Sequence, residues 1–202
     1  MTSSEQSLPT ALLVVDVQQA LTAPLDPERP PVWNLDETLT HIETLLRVAR
    51  DCGADVIYVQ HNSLSDPYLQ RGAPGYEFDR RIAPQAMETI VSKEVCDVYA
   101  QTDLIGILKA RGIAHYVTCG IQSDYCVDMA TKGGLSRGIT VTLAADAHTT
   151  WSNGVLSAEQ IIAHHNQNVA HMSGPNAVVL VRPTAEIVFA PTPVPGRMPI
   201  AV

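Results

Sequence analysis

The chain has 202 residues, 46% of them hydrophobic and 17% charged, which suits one substantial α/β domain with a packed core and not a disordered segment. Its formal net charge of −8 argues against a nucleic-acid or anionic-membrane surface, since either would need clustered Lys and Arg. No apolar stretch reaches ~18 residues, so no membrane span is expected, and MTSSEQSLPT lacks the basic-then-apolar form of a secretory signal, so a cytoplasmic protein is expected.

Residues 1 to about 10 read as a loose tail. ALLVVDV, Ala11 to Val17, is a short Val-rich apolar run and reads as a buried strand. The four prolines of APLDPERPP then forbid a regular helix. From Asn34 to Asp51, the residues Leu35, Leu39, Ile42, Leu45, Leu46 and Ala49 recur at helical spacing, and Gly53 follows as a C-terminal cap. DVIYVQ, Asp55 to Gln60, is a second buried strand. His61 to Pro84 reads as loop, and ETIVSK, Glu88 to Lys93, as a third strand. Thr102 to Gly112 is helical, and AHYVTCG, Ala114 to Gly120, is a fourth strand. Ser123 to Arg137 is helical and stops at Gly138. ITVTLAAD, Ile139 to Asp146, is a fifth strand. Ser157 to about Met172 is a helix whose Ser157 and Gln160 are spaced as a capping box. AVVLV, Ala177 to Val181, is a sixth strand, and a tail with five prolines follows from Arg182 and is expected to run over the surface.

Strands and helices alternate, and the strands are apolar on both faces. This is the pattern of a three-layer α/β/α domain, Rossmann-like, with a six-stranded, mainly parallel sheet. With no internal repeat, the chain reads as a single domain over 1–202 with tails at 1–10 and 183–202. Four cysteines, Cys52, Cys96, Cys119 and Cys126, show no paired spacing and read as free thiols.

Ligands in such folds bind beyond the carboxyl ends of the strands. The first strand ends at Asp16, the third at Lys93, and Cys126 follows the fourth within one short turn. Each alone has an ordinary explanation: a turn cap, a solvated lysine, a small buried hydrophobe. Together they supply a coherent chemistry. A thiol attacks as thiolate. The start of a helix and a nearby ammonium both favour that form, so Cys126 is expected to titrate below a free thiol. Asp16 can accept the proton and return it to a leaving amine. The loop GIQSDYC offers the backbone N–H groups of Gln122 and Cys126 to a developing oxyanion.

These residues resemble the isochorismatase-like cysteine hydrolase superfamily. The resemblance rests on LLVVDVQ around Asp16, SKEVCDVYAQTDL around Lys93, CGIQSDYCV around Cys126, DAHTT after the fifth strand, and SAEQIIAHHN, and it spans about residues 10 to 181. It implies an Asp–Lys–Cys triad at Asp16, Lys93 and Cys126. It also implies a non-proline cis peptide at Ile121–Gln122 that turns the Gln122 N–H into an oxyanion hole, and a homo-dimer or homo-tetramer. Two positions depart from the family pattern: Ser123 stands where Thr is common, and Asp97-Val98-Tyr99 where SAF is common.

Nicotinamidases of this superfamily carry a metal on an Asp-x-His element after the second strand. QHNSLSDPYLQ has His61 and Asp66 but not that spacing. His164 and His165 point to different helix faces, and His171 is no better placed. No metal and no cofactor is therefore expected, and His61 is expected to bond locally or line the mouth of the site. Isochorismatases proper hydrolyse a vinyl ether and generally lack the cysteine. Cys126 thus points to a C–N bond in a small amide, carbamoyl or lactam substrate, cleaved through a thioester. Leu21, Tyr99 and Gln122 are the expected pocket residues, with Tyr125 and Trp151 open between pocket and core or interface. The alternative is vinyl ether hydrolysis with the cysteine unused. A nucleotide-binding module is disfavoured, since no G-x-G-x-x-G follows the first strand and no G-x-x-x-x-G-K-[ST] occurs in the chain, whereas a redox sensor with an oxidisable Cys126 would be alkylated yet hydrolyse no amide.

Overall fold

The computed structural model describes residues 9–25 and 27–192. Six strands form one sheet: β1 (Thr10–Val15), β2 (Asp55–His61), β3 (Thr89–Lys93), β4 (His115–Ile121), β5 (Thr140–Thr149) and β6 (Val179–Arg182). Their order is β3-β2-β1-β4-β5-β6, and every pairing is parallel. The helices are α1 (Gln19–Thr22), α2 (Leu35–Cys52), α3 (Leu104–Ala110), α4 (Cys126–Ser136) and α5 (Ala158–Val169). None among the described residues is long and apolar enough to cross a membrane.

β1 explains why its sequence is apolar throughout. Leu12 and Val14 face one core, where they meet Leu39, Ile42, Leu45 and Leu46 of α2. Ala11, Leu13 and Val15 face the other, against Leu104 and Leu108 of α3 and Val127 and Ala130 of α4. A central parallel strand is buried on both faces, so the alternation of a half-exposed strand is absent. α2 ends as its sequence announces: Gly53 has φ 74°, and its N–H caps the Ala49 and Arg50 carbonyls. α5 opens with the reciprocal Ser157–Gln160 capping box.

Several boundaries differ from the sequence reading, each for a local reason. α4 begins at Cys126 and not Ser123, because Tyr125 N–H and Val127 N–H both turn back to the Gln122 carbonyl and close a turn first. β5 continues to Thr149. Its register against β4 jumps from Thr118↔Leu143 to Gly120↔His148, so the extra residues bulge out and pairing resumes. The 61–84 loop contains two 3₁₀ turns, Pro74–Tyr76 and Arg80–Ile82. The segment after β6, expected to run over the surface, packs back where it is described. Ile187 and Ala190 are buried, Thr10 N–H donates to the Ala190 carbonyl, and Thr192 N–H donates to that of Gly53. The terminal stretches 1–8 and 193–202, read as tails, lie outside the described residues.

The strand order reverses direction between β1 and β4. Chains leaving their carboxyl ends diverge and open a crevice, which is where an open α/β sheet holds its ligand.

Candidate active site

Three elements meet at that crevice. Asp16 directly follows β1 at φ 50° and is anchored by its N–H to the Val59 carbonyl. Lys93 closes β3, and its side chain crosses the end of β2 to reach the crevice. Cys126 is the first residue of α4. Asp16 is 1% exposed, Lys93 2% and Cys126 9%, so all three are withdrawn from solvent. The Lys93 Nζ lies 2.7 Å from Asp16 Oδ2, 3.1 Å from Cys126 Sγ and 3.0 Å from His61 Nδ1. The three residues expected to converge do so, with a histidine beside them. Asp16 Oδ1 is buried and has no hydrogen-bond partner among the described residues.

The electrostatics follow from burial and pairing. Desolvation opposes charge on Lys93, but the Asp16 carboxylate and the Cys126 sulfur outweigh it, and its pKa lies above the ordinary lysine value. Lys93 is therefore an ammonium. Desolvation and then the Lys93 charge lower His61, which is neutral at pH 7. Asp16, His61 and Cys126 are also the donors nearest to forming a metal site among the described residues, their ligand atoms lying within 4.8 Å of one another. They converge on a cation already, the Lys93 ammonium, which is within bonding distance of all three. Asp66 is engaged elsewhere, paired with Arg29 at 2.8 Å. His165 pairs with Asp128 at 3.2 Å, and its ring lies edge-on to that of His164.

The thiol expectation needs correction. Cys126 does not titrate alone, because Cys96 lines the same cavity and the two sulfurs share the field of the Lys93 ammonium. The neighbouring Cys126 thiol lowers Cys96 to about 6, with the Lys93 ammonium adding to the effect. The Cys96 sulfur in turn raises Cys126, which desolvation and the Asp16 charge raise further while Lys93 pulls it down. The two sulfurs are a coupled pair: the first proton leaves easily, and the second is held.

The loop after β4 is shaped around its backbone donors. The Ile121–Gln122 peptide bond is cis. Among the described residues neither the Gln122 N–H nor the Cys126 N–H donates to a protein acceptor. The bulged end of β5 holds this loop. Ser123 N–H donates to the Thr149 carbonyl, the Ser123 hydroxyl meets His148 Nδ1 at 2.8 Å, and Thr150 Oγ1 donates to Asp124 Oδ1 at 2.6 Å. The DAHTT stretch thus acts as a brace for the loop.

Above the sulfur is a cavity of about 350 Å³. Leu21 and Gln122 line it as expected, and Tyr125 and Trp151 belong to it too. Arg29, from the proline-rich segment, stands over the Trp151 ring at 5.6 Å, and Trp151 Nε1 donates to the Pro30 carbonyl. Tyr99 is the exception. It is buried below the cavity, its hydroxyl donates to that of Tyr116 at 3.0 Å, and Arg137 covers its ring at 4.2 Å. The Asp97 turn, whose carboxylate accepts from Tyr99 N–H, delivers the ring onto Gly133 of α4 and not toward the ligand space.

Sequence reasoning missed the site roles of Cys96, Arg29 and Gln18. Gln18 is fully buried, and its amide holds both backbone groups of His61: Nε2 donates to the His61 carbonyl at 3.0 Å, and Oε1 accepts from the His61 N–H at 2.8 Å. A glutamine three residues past a strand carries no signal of that role; only the meeting of β1 and β2 creates it.

The family model for the isochorismatase domain matches residues 10–180. A streptothricin hydrolase of Streptomyces noursei is 30% identical over 193 residues, covering 94% of this chain and 74% of that protein. The ureidoacrylate amidohydrolase RutB of Caulobacter segnis is 27% identical over 171 residues, covering 68% of this chain and 71% of its own length. The crystal structure of a cysteine hydrolase from Pseudomonas syringae pv. phaseolicola superposes with a TM-score of 0.76 at 25% identity, covering 92% of this chain and 96% of that one.

Proposed function

This chain belongs to the isochorismatase family of hydrolases, and from that premise we propose that it cleaves a non-peptide C–N bond of a small amide, carbamoyl or lactam substrate through a thioester on Cys126. The observation that carries the reading is the Lys93 ammonium, bonded at once to Asp16 and to Cys126, both of which line the cavity. A cation there lets a carboxylate and a thiolate share one crevice without mutual repulsion. The name of a relative that hydrolyses ureidoacrylate as an amide supports a C–N bond. A cavity of about 350 Å³ supports a small molecule.

The steps follow from the groups present. Asp16 takes the proton of the Cys126 thiol, and the sulfur attacks the substrate carbonyl carbon. The carbonyl electron pair moves to oxygen, where the Gln122 and Cys126 N–H groups are free to receive it. The tetrahedral species collapses, the C–N bond breaks, and Asp16 returns its proton to the departing nitrogen. Water then attacks the thioester and gives one proton to Asp16. Loss of the sulfur, reprotonated by Asp16, leaves the acid product and the resting enzyme.

The test is a panel of primary amides, ureido acids, lactams and nicotinamide, with a vinyl ether alongside, read by ammonia release or mass change. Cys126→Ala is expected to abolish amide turnover, and acid-quenched wild-type enzyme is expected to carry the acyl mass on Cys126. Amide turnover surviving in Cys126→Ala would overturn the reading, and vinyl ether hydrolysis by that variant would establish the ether reaction instead.

A further inference from the structure

The Lys93 side chain is wholly enclosed. An ammonium has three N–H donors and no acceptor. Its three neighbours are Asp16 Oδ2, Cys126 Sγ and His61 Nδ1, at 2.7, 3.1 and 3.0 Å. The count closes, with one acceptor for each donor. Two of these acceptors belong to the chemistry proposed above. The third has no assigned task.

We propose that His61 is a positioning residue for the nucleophile: by accepting the third Lys93 N–H it holds the ammonium against Asp16 and Cys126, and the site works only while His61 is neutral. This rests on the reading of Cys126 as the nucleophile.

The placement of His61 is built into the sheet. His61 and Lys93 are register partners at the carboxyl ends of β2 and β3, so the imidazole and the lysine stem leave adjacent strands side by side. Asn62 N–H donates to the Lys93 carbonyl and locks that end of the ladder. Gln18 clamps both backbone groups of His61 from the segment that carries Asp16. Its Nε2 also reaches the Tyr76 carbonyl at 2.8 Å, so the clamp is itself anchored. The histidine thus ties together the strands that deliver the carboxylate and the lysine.

The bond also fixes the protonation state. An ammonium can only donate, so Nδ1 must accept and the ring proton resides on Nε2. That nitrogen has no protein partner among the described residues, and the ring lines the cavity. Protonating Nδ1 would set two cations about 3 Å apart and leave one Lys93 N–H unpaired in a buried site. The ammonium would then turn away from His61 and pull on its other two partners. The charged groups facing His61 are Lys93 and Glu94 from the end of β3, Asp16 from β1 and Asp66 from the following loop. Cys126, Cys96 and Arg29 share its cavity. The nearest of these charges is Lys93, and it opposes protonation.

Two variants test this. His61→Leu removes the acceptor. His61→Asn places an amide oxygen near the position of Nδ1 and does not titrate. For His61→Leu, kcat is expected to fall by about ten- to a hundred-fold with KM nearly unchanged, the scale of a misplaced reacting group. His61→Asn is expected to recover most of that loss. On the acid side, log(kcat/KM) for the wild type should steepen toward two protons, one from the thiol pair and one from His61, and His61→Asn should show a slope of one. Thermal unfolding of each variant checks that the fold is kept. A wild-type kcat in folded His61→Leu, or an acid limb unchanged in His61→Asn, overturns the proposal. Those results leave the Cys126→Ala outcome untouched, so failure here and failure of the cysteine reading are told apart.

Discussion

Lys93 and Asp16 form an ion pair at 2.7 Å in which neither side chain exposes more than 2% of its surface. Such a pair contributes little net stability, because desolvation offsets most of its attraction, but breaking it leaves one charge buried and unpaired. Lys93→Met should therefore destabilise the fold by about 3–5 kcal/mol. The double variant Asp16→Asn/Lys93→Met should cost clearly less than the two single changes added together. Urea unfolding of the four proteins measures the coupling. Strictly additive costs would mean the pair is not the unit described here.

The sulfur pair makes a second prediction. In the wild type, the rate of iodoacetamide alkylation against pH should show an early step near 6, set by the Cys96–Cys126 pairing beside the Lys93 ammonium, and a late step above the free-thiol range. Cys96→Ser removes one sulfur, so a single step should remain. It should fall below the wild-type late step, because Cys126 no longer ionises beside a thiolate. A late step left unmoved in Cys96→Ser would show that the thiols titrate independently.

Much of this architecture was legible in the sequence, and the reason is local. β1, β2 and α2 carry their periodicities within a few residues, and Asp16, Lys93 and Cys126 each stand at an element's end. What escaped the reading depends on residues far apart in the chain. The bulge in β5 arises from its register with β4, so ITVTLAAD gives no hint that pairing resumes through Thr149. Arg29 enters the cavity because the proline-rich segment docks on Trp151, a contact spanning 121 residues. Cys96 looked like any free thiol until the turn after β3 brought it beside Cys126.

Tyr99 shows the opposite error and gives a third prediction. Its place in the lysine motif suggested a pocket wall, whereas it packs between Tyr116, Arg137 and α4. Tyr99→Phe should leave kcat and KM on an active amide within about two-fold. It should cost about 1 kcal/mol of stability, the usual scale for one lost hydrogen bond. The cost stays modest because the Tyr116 hydroxyl still donates to the Ala130 carbonyl at 2.6 Å. A large rise in KM would put the ring back at the ligand.

Gly120 gives a fourth. It has φ 119°, and a Cβ there would run into the Val15 carbonyl oxygen and backbone of the neighbouring strand. Both the conformation and the space favour glycine. Gly120→Ala should push β4 away from β1 directly below the 122–126 loop. Loss of activity should accompany a drop in unfolding midpoint, and a fully stable, fully active variant would contradict this close approach.

His148 supplies the pH dependence of stability. It is 2% exposed. Asn166 donates its amide N–H to the Ala145 carbonyl, so its Oδ1 accepts from His148 Nε2–H, and Nδ1 is left to accept from the Ser123 hydroxyl. Burial dominates and lowers its pKa to about 4, with the Asn166 bond opposing and His165 adding to the shift. An unfolded histidine titrates near 6.5. Between those values the unfolded chain binds the extra proton and the folded one does not, so stability falls as pH drops from about 6.5 toward 4 and is level above that window. The shift corresponds to roughly 3 kcal/mol over the whole window. His148→Gln should be less stable than wild type at pH 7.5, yet lose less on going to pH 5. A residual slope should persist from His61 and His115, which burial also lowers. Urea midpoints at the two pH values measure it, and equal losses in the two proteins would show that His148 is not the buried group taking up the proton. Because His148 braces Ser123, acid unfolding should begin at the loop after β4, and hydrogen exchange near pH 5 should quicken first across residues 122–126.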